Sequence, residues 1–225
     1  MAMKQIDTHT PLALVTGASR GLGAAMAEAL AAQGWHVLAV ARTVGALEEL
    51  DDRIKQHGGQ ATLAPLNVTD PAQMQHLGQS IASRWGGVGL WVHTAIHSAP
   101  LAPAAHIAQK DMESSITTNM TTTAMMIPMM EALLKARGGR AVFFDDPRAG
   151  QKFFGSYGAT KAGQMALVRS WAAETAKTGP EVIVAQPEPM PTALRARFFP
   201  GEDRAPLSDI RTQAAQIIEA HRLYP

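Results

Sequence analysis

The sequence contains no cysteine in its 225 residues, so disulfide bonds and thiolate chemistry are excluded. It also has almost no net charge, +1 at pH 7, and no basic cluster, which argues against nucleic acid or an anionic membrane as the main partner. No apolar run approaches the ~20 residues of a membrane-spanning helix. The polar opening, residues 1–10, lacks the apolar core of a signal peptide. We therefore expect a cytoplasmic protein whose ligand is a small molecule.

Strand-like runs alternate along the chain with segments that carry apolar residues at helical spacing. This alternation predicts one α/β domain, in which helices cover both faces of a doubly wound parallel sheet. The predicted strands are 12–16, 36–41, 61–66, 90–95, 140–144 and 181–185, and the predicted helices are 21–34, 43–57, 70–85, 111–136, 156–178 and 208–222. Right-handed crossovers then give the sheet order 3-2-1-4-5-6, with the ligand where that order reverses.

The domain is expected to span residues 1–225 without a linker. One stretch, at about 186–207, is rich in proline and should form a loop with a short helix near 194–198. Its place after the last strand makes it a candidate lid over the ligand cleft. The alternative is a plain surface connection.

A glycine-rich segment, TGASRGLG at 16–23, follows the first predicted strand and opens the first predicted helix. Backbone N–H groups and the positive end of the helix converge there on one anion. The first glycine permits the turn, the second lets a pyrophosphate approach, and the third lets helix and strand pack closely. We predict a nucleotide site whose residues are Gly17, Ser19, Arg20, Gly21, Leu22 and Gly23.

Tyr157 and Lys161 lie four residues apart in the segment YGATK, so their side chains share one face of the predicted helix 156–178. A phenol with a pKa of ~10 is a poor acid at neutral pH, but a nearby cation can lower that pKa by ~1 to 3 units. Lys161 can be that cation. Tyr and Lys at this spacing are common by themselves, so the pair needs support from other motifs.

These motifs together resemble those of the short-chain dehydrogenase/reductase family, in the same order and over nearly the whole chain. TGASRGLG resembles the TGxxxGxG turn of that family, YGATK its YxxxK pair, and Asn119 the asparagine of the helix before strand five. The resemblance implies a Rossmann fold and hydride transfer between a nicotinamide and a carbonyl or alcohol substrate. Tyr157 would donate the proton. Lys161 would hold the nicotinamide ribose and lower the pKa of Tyr157, and Asn119 would support a water linked to Lys161.

The same resemblance implies further cofactor contacts. The segment LNVTD at 66–70 would place Asn67 and Val68 beside adenine. Ala95 lies in the strand-four motif, and Thr192 lies where the family often binds the carboxamide or the phosphates.

The choice of cofactor follows from charge at the end of the second strand. NAD-preferring members usually carry an acidic residue there, whereas this chain has Arg42. Arg42 and Arg20 would bind a 2′-phosphate through charge-assisted hydrogen bonds of ~1.5 to 3 kcal/mol each. We therefore predict NADP(H), the alternative being that Arg42 is only a solvated residue at the start of a helix.

The chain departs from the family pattern where a serine normally polarises the substrate carbonyl. Its sequence there is FFDDPRAG, at 143–150, and the next hydroxyl side chain is Ser156. An ionised Asp145 or Asp146 would raise the pKa of Tyr157 and repel a developing oxyanion. A protonated carboxyl could instead donate the missing hydrogen bond, or Arg148 could neutralise the carboxylate.

Other departures lie around the cofactor cleft. Ile96 replaces the glycine of the family's NNAG motif, and Glu188 replaces the glycine of its PG motif, so both could weaken cofactor binding. His93 and His97 fall across a strand end and a loop, and we expect no metal site. Two hypotheses stay open: an NADP(H)-dependent oxidoreductase, and a catalytically silent dinucleotide-binding protein that acts as a sensor or assembly partner.

The resemblance also implies a quaternary structure. The chain stops after the predicted helix 208–222, where family members usually add a seventh strand. We therefore expect six strands and a homodimer formed through helices 111–136 and 156–178, whose apolar faces and methionines suit such a contact.

Overall fold

Six parallel strands form the centre of the structure, a computed structural model that describes residues 10–225. The strands are β1 Leu12–Thr16, β2 His36–Ala41, β3 Gln60–Pro65, β4 Leu90–His93, β5 Arg140–Phe144 and β6 Glu181–Ala185. They are hydrogen-bonded in the order β3-β2-β1-β4-β5-β6, as predicted. The predicted domain begins at residue 1, but residues 1–9 lie outside the described part of the chain. The prediction that residues 1–10 are not a signal peptide falls almost entirely on those residues.

Eight α-helices connect or follow these strands within residues 10–225. They are α1 Gly21–Ala32, α2 Val44–Gln56, α3 Pro71–Trp85, α4 Gln109–Ser115, α5 Thr122–Lys135, α6 Gly155–Thr175, α7 Ala193–Phe198 and α8 Ile210–Ala220. A short 3₁₀ turn occupies Ala104–His106. In the described part of the chain, no helix is both long enough and apolar enough to cross a membrane.

Most predicted bounds differ from the structure by a few residues at most, and two of the predicted elements differ for tertiary reasons. The fourth strand ends at His93 rather than residue 95, because the chain leaves the sheet where the Thr94 hydroxyl donates to the carbonyl oxygen of Thr16 at 2.8 Å. The predicted helix 111–136 is not one continuous α-helix, since a π-helical turn at Ile116–Thr121 separates α4 from α5. This wider turn contains Asn119, whose side chain binds the backbone of a distant loop.

The two faces of the sheet bury two separate apolar layers. On β1, Ala13 and Val15 pack on one face with α1, α2 and α8, whereas Leu12 and Leu14 pack on the other with α3, α5 and α6. Since successive side chains of a strand point to opposite faces, a strand covered on both sides must be apolar throughout. For this reason the sequence of β1 is an almost uninterrupted apolar run.

Helix α3 begins and ends at residues that the sequence specifies locally. Asp70 caps α3, because its Oδ1 accepts hydrogen bonds from the backbone N–H of Ala72 and Gln73 at 3.0 and 3.1 Å. Pro71 occupies the first helical position, and Gly86 ends the helix in the left-handed conformation with φ of 71°. The helix is thereby delimited without help from the rest of the fold.

The strand order reverses between β1 and β4, so the chain segments that follow these two strands diverge. They leave a cleft of about 760 Å³ at the carboxyl ends of the strands. This is the position at which open parallel sheets bind their ligands.

Candidate active site

Every residue predicted to bind the cofactor lines this single cleft. Those residues are Gly17, Ser19, Arg20, Gly21, Leu22, Gly23, Arg42, Asn67, Val68, Ala95, Tyr157, Lys161 and Thr192. Asn119 is different, because it is fully buried behind the cleft wall and does not line it. The sequence motifs are therefore brought together in space although they are spread over the chain.

The glycine turn after β1 is tightly packed. Gly17 has a φ of 88°, and a Cβ atom there would lie 2.6 Å from the backbone nitrogen of Ala95. A Cβ atom on Gly23 would lie only 2.3 Å from the carbonyl oxygen of Gly17. Both positions therefore need glycine, the first for its backbone conformation and the second for the close approach of α1 to the turn.

The N-terminus of α1 opens into the cleft. Its cap residue, Arg20, is extended and makes no side-chain hydrogen bond to the first helical amides. A Cβ atom on Gly21 would meet nothing nearer than a methyl group of Thr192, at 3.7 Å. Free amides, a positive helix end and open space in front of them suit the pyrophosphate of a dinucleotide. The residues present thus fit the predicted cofactor.

Two arginines lie at the β2 end of the cleft. Arg20 and Arg42 are both exposed, and neither forms an ion pair with any other residue of the described range 10–225. Asn67 lines the same end, where its Oδ1 accepts from the backbone N–H and the hydroxyl of Thr69 at 3.2 and 3.0 Å. Val68 beside it is buried. An adenosine with an attached phosphate would meet two unpaired guanidinium groups there.

Tyr157 lies in the first turn of α6 and is only 4% exposed. Its hydroxyl donates a hydrogen bond to Oδ2 of Asp146 at 3.0 Å, and Oδ1 of Asp146 accepts one from Nε of Arg148 at 2.8 Å. Burial, followed by the Asp146 carboxylate, raises the pKa of Tyr157 well above its ordinary value. The lowering expected from Lys161 is therefore wrong, because the charges that shift the pKa of this phenol belong to Asp146, Arg148 and Asp145.

Lys161 is buried one helical turn further along α6. Its ammonium group donates to Oε1 of Gln164 at 2.7 Å, and Gln164 in turn donates to the hydroxyl of Thr123 at 2.9 Å. Burial lowers the pKa of Lys161 to about 8, against the opposing effect of Asp145 and Asp146. Sequence reasoning missed Gln164, although its position three residues after Lys161 places both on one face of the helix.

Asn119 positions the loop that follows β4. Its Oδ1 accepts from the backbone N–H of His97 at 2.7 Å, and its Nδ2 donates to the carbonyl oxygen of His97 and to the hydroxyl of Thr160, both at 3.0 Å. The side chain thereby fixes the cleft wall, and no hydrogen bond joins it to Lys161 within residues 10–225. The water link between Asn119 and Lys161 stays a prediction.

His93 is a buried neutral histidine in the cleft wall. Its Nδ1 lies 2.8 Å from the hydroxyl of Thr16, whereas its Nε2 has no partner among the described residues. Burial, with a smaller contribution from Lys161, lowers the pKa of His93 to about 3. Across residues 10–225 there is no group of three side chains suited to hold a metal ion.

The proline-rich segment 186–207 packs over Tyr157. It contains α7, whose Phe198 is buried with its ring centroid 4.8 Å from that of Tyr157 and 5.0 Å from that of Phe154. Two hydrogen bonds from Arg195 to Glu202, at 2.6 and 2.5 Å, join two residues of the segment itself. The sequence did not predict that Phe198 contacts Tyr157, because the two residues are far apart in the chain.

Ile96 and Glu188 both line the cleft, as their places in the sequence suggest. Ile96 packs against the cluster of Phe154, Tyr157 and Phe198. Glu188 is exposed, and its backbone N–H donates to Oε1 of Gln213 at 3.0 Å. The cleft thus has an anion-binding end at the glycine turn and a partly apolar end beside Tyr157.

Comparisons with known proteins agree with this architecture. The chain is 32% identical over 180 residues to the 3-oxoacyl-[acyl-carrier-protein] reductase FabG of Escherichia coli, covering 78% of this chain and 72% of that protein. It is also 32% identical over 170 residues to a fatty acyl-CoA reductase of Acinetobacter baylyi, covering 74% of this chain but only 58% of the length of that protein.

Solved structures show the same fold. A short chain dehydrogenase from Shigella flexneri has a TM-score of 0.85 and 25% sequence identity, covering 97% of this chain and 86% of that one. A 3-ketoacyl-ACP reductase from Sinorhizobium meliloti has a TM-score of 0.80 and 27% identity, covering 93% of this chain and 90% of that one. The profile of the short chain dehydrogenase family matches residues 11–203. The chain therefore belongs to the short chain dehydrogenase family of oxidoreductases.

Proposed function

We propose that this chain is an NADP(H)-dependent oxidoreductase that transfers a hydride between the nicotinamide and a small substrate beside Tyr157. The observation that carries the proposal is the cleft itself, in which the glycine turn, two unpaired arginines and the Tyr157 and Lys161 pair line one surface. The two sequence relatives compared above support it, since both are named as reductases. When bound, the nicotinamide supplies or accepts the hydride.

Different residues of the cleft would bind different parts of the cofactor. The turn residues Gly17, Ser19, Gly21, Leu22 and Gly23 would surround the pyrophosphate. Adenine would lie beside Asn67 and Val68. The nicotinamide half would lie beside Ala95, Thr192, Tyr157 and Lys161. The buried ammonium of Lys161 has one hydrogen-bond acceptor, Gln164, so two of its three hydrogens are left for ribose hydroxyls.

The preference for NADP(H) over NAD(H) would come from Arg20 and Arg42. A 2′-phosphate between them would form charge-assisted hydrogen bonds, which are about twice as strong as those between neutral groups. No carboxylate competes for either guanidinium group in the described part of the chain.

The test is a binding titration of NADPH and NADH. Replacing Arg42 with alanine should weaken NADPH about 10- to 100-fold, the equivalent of one charge-assisted hydrogen bond, and leave NADH unchanged. Arg211→Ala removes an exposed arginine of α8 outside the cleft and is the matched control. Equal affinity of the unmodified protein for both cofactors would contradict the preference, and absence of binding would contradict the function.

A second candidate function is a cofactor-binding protein without catalysis. It is favoured by the hydrogen bond from Tyr157 to Asp146, which raises the pKa of the group expected to donate a proton. Carbonyl reduction with such an acid should be slow. Binding of NADPH without turnover of any substrate class would support this second function.

We also propose a homodimer formed through the helices at 111–136 and 156–178. Ile116 and Met125 in the first of these regions are large apolar side chains that are 39% and 38% exposed in the single chain. Met126 and Met130 are instead buried in the core. A second copy packed against this surface would cover the two exposed residues.

A further inference from the structure

The hydrogen bond between Tyr157 and Asp146 determines what the phenol can offer to a substrate. A phenol has one hydrogen, and here that hydrogen is directed to Oδ2 of Asp146 at 3.0 Å. The oxygen of Tyr157 therefore presents its lone pairs to the cleft. A carbonyl oxygen, which only accepts hydrogen bonds, finds no donor at this atom, whereas an N–H group finds an acceptor.

The charges around Tyr157 favour the same kind of substrate. Asp146 is paired with Arg148, and Asp145 is paired with Arg169 at 2.5 Å, so both carboxylates have cationic partners. The effect of Asp146 on the pKa of Tyr157 nevertheless exceeds the opposite effect of Arg148. Negative charge at the phenol oxygen is therefore disfavoured, first by burial and then by Asp146, whereas an N–H donor can be accepted by its lone pairs.

We propose that the substrate bound beside Tyr157 is a protonated imine, and that this site interconverts an iminium ion and an amine. The inference rests on the proposed function and names its substrate class. The iminium N–H donates to the oxygen of Tyr157, and its charge lies near the carboxylate of Asp146. Asp146 acts as a positioning residue, because it holds the phenol hydrogen away from the substrate.

The reaction balances without a proton from the protein. A reduced nicotinamide, when bound, would supply the hydride for the new C–H bond at the iminium carbon, and the π electron pair of the C=N bond would become the lone pair of nitrogen. The products are a neutral amine and the oxidised nicotinamide. Because the substrate arrives already protonated, the weak acidity of Tyr157 does not hinder the reaction.

The residues that line the site restrict the class of substrate further. Ile96 and Leu194 line the cleft and pack against the cluster that contains Tyr157, so they suit a hydrocarbon group on the iminium carbon. The two arginines that line this end, Arg148 and Arg195, each have a carboxylate partner. The site therefore suits a compact imine with apolar substituents.

The experiment compares two substrates that share a fused two-ring skeleton, the imine dihydroisoquinoline and the ketone tetralone. With NADPH, the unmodified protein should reduce the imine with a kcat/KM about 100-fold higher than the ketone, the size of effect that one misdirected hydrogen-bond donor produces. In Asp146→Ser, which frees the phenol hydrogen, the ratio should fall at least tenfold. Asp52→Asn, an exposed carboxylate of α2 outside the cleft, should leave the ratio unchanged.

A binding measurement supplies a readout that does not depend on turnover. Calorimetry in the presence of NADP⁺ should show that the cationic amine tetrahydroisoquinoline binds at least tenfold more tightly than the alcohol tetralol. Asp146→Asn should abolish this difference, whereas Asp52→Asn should leave it unchanged.

Equal turnover of imine and ketone by the unmodified protein would overturn the substrate class and leave the proposed function standing. Unchanged amine binding in Asp146→Asn would also overturn it. Failure of NADPH and NADP⁺ to bind at all would overturn both proposals. The comparison of imine and ketone turnover uses the unmodified protein, so it tests the proposal even if Asp146→Ser does not fold.

Discussion

Replacing Lys161 with methionine removes an ammonium group that is buried in the cleft wall and 8% exposed. Burial lowers the pKa of Lys161 from an ordinary value of 10.5 to about 8. That difference means that the charged form costs about 3 kcal/mol of folding free energy at neutral pH. We expect this cost to be visible as a difference in pH dependence between the unmodified protein and Lys161→Met.

The direction in which folding stability changes with pH follows from proton binding. Between about pH 8 and 10.5 the unfolded chain holds the proton of Lys161 more tightly than the folded chain does, so folding stability rises with pH. Below pH 8 the cost is present in full. Relative to Lys161→Met, the unmodified protein should gain about 1 kcal/mol of stability between pH 7 and pH 9.

Methionine also leaves Oε1 of Gln164 without its donor, a cost of about 1 to 3 kcal/mol that does not vary with pH. The slope with pH is therefore the quantity to measure, rather than the stability at one pH. This slope is measured by urea unfolding, followed by tryptophan fluorescence, at pH 7, 8 and 9. The control is Lys110→Met, which replaces an exposed lysine. Parallel pH dependence of the unmodified protein and Lys161→Met would refute the argument.

Three further predictions concern packing and assembly. Gly23→Ala places a methyl group 2.3 Å from a backbone oxygen, so it should lower stability by about 1 to 3 kcal/mol and weaken NADPH binding, both measurable by titration. Phe198→Ala removes the ring that covers Tyr157 and should increase hydrogen exchange of α7 and of the first turn of α6. Met125→Lys places a charge in the proposed dimer interface and should give a monomer by light scattering.

Each of these has a matched control. Gly45→Ala has nothing within 4 Å of the new methyl group and lies in α2, so it should be neutral or slightly stabilising. Phe153→Ala removes a ring that is 44% exposed, and Val44→Lys changes a side chain that is 52% exposed outside the proposed interface. In each case, equal effects of the variant and its control would contradict the reasoning. For the dimer, an unmodified protein that is monomeric would contradict it as well.

The elements of the fold could largely be predicted from the sequence. The strand order and the four strand spans 12–16, 36–41, 140–144 and 181–185 agree with the structure, because apolar runs and alternating helical segments are local signals. The glycine turn is equally local, since it requires a left-handed residue at Gly17. The π-helical turn at 116–121 could not be predicted in this way, because it accompanies a tertiary contact of Asn119.

The candidate site was predicted as a set of residues but not as a set of contacts. Gln164 binds Lys161, Asn119 binds the backbone of His97, and Phe198 covers Tyr157. Two of these contacts join residues that are distant in the chain, so no periodicity or spacing indicates them. The predicted cofactor and catalytic roles of these residues stay predictions until binding and turnover are measured.

The sequence by itself determined that two adjacent carboxylates, Asp145 and Asp146, follow the fifth strand near the helix that carries Tyr157. Only the tertiary structure decided which of them meets the phenol. Asp145 pairs with Arg169, whereas Asp146 accepts the hydrogen of Tyr157. That hydrogen bond depends on where β5 ends relative to α6, which is a matter of packing rather than of composition.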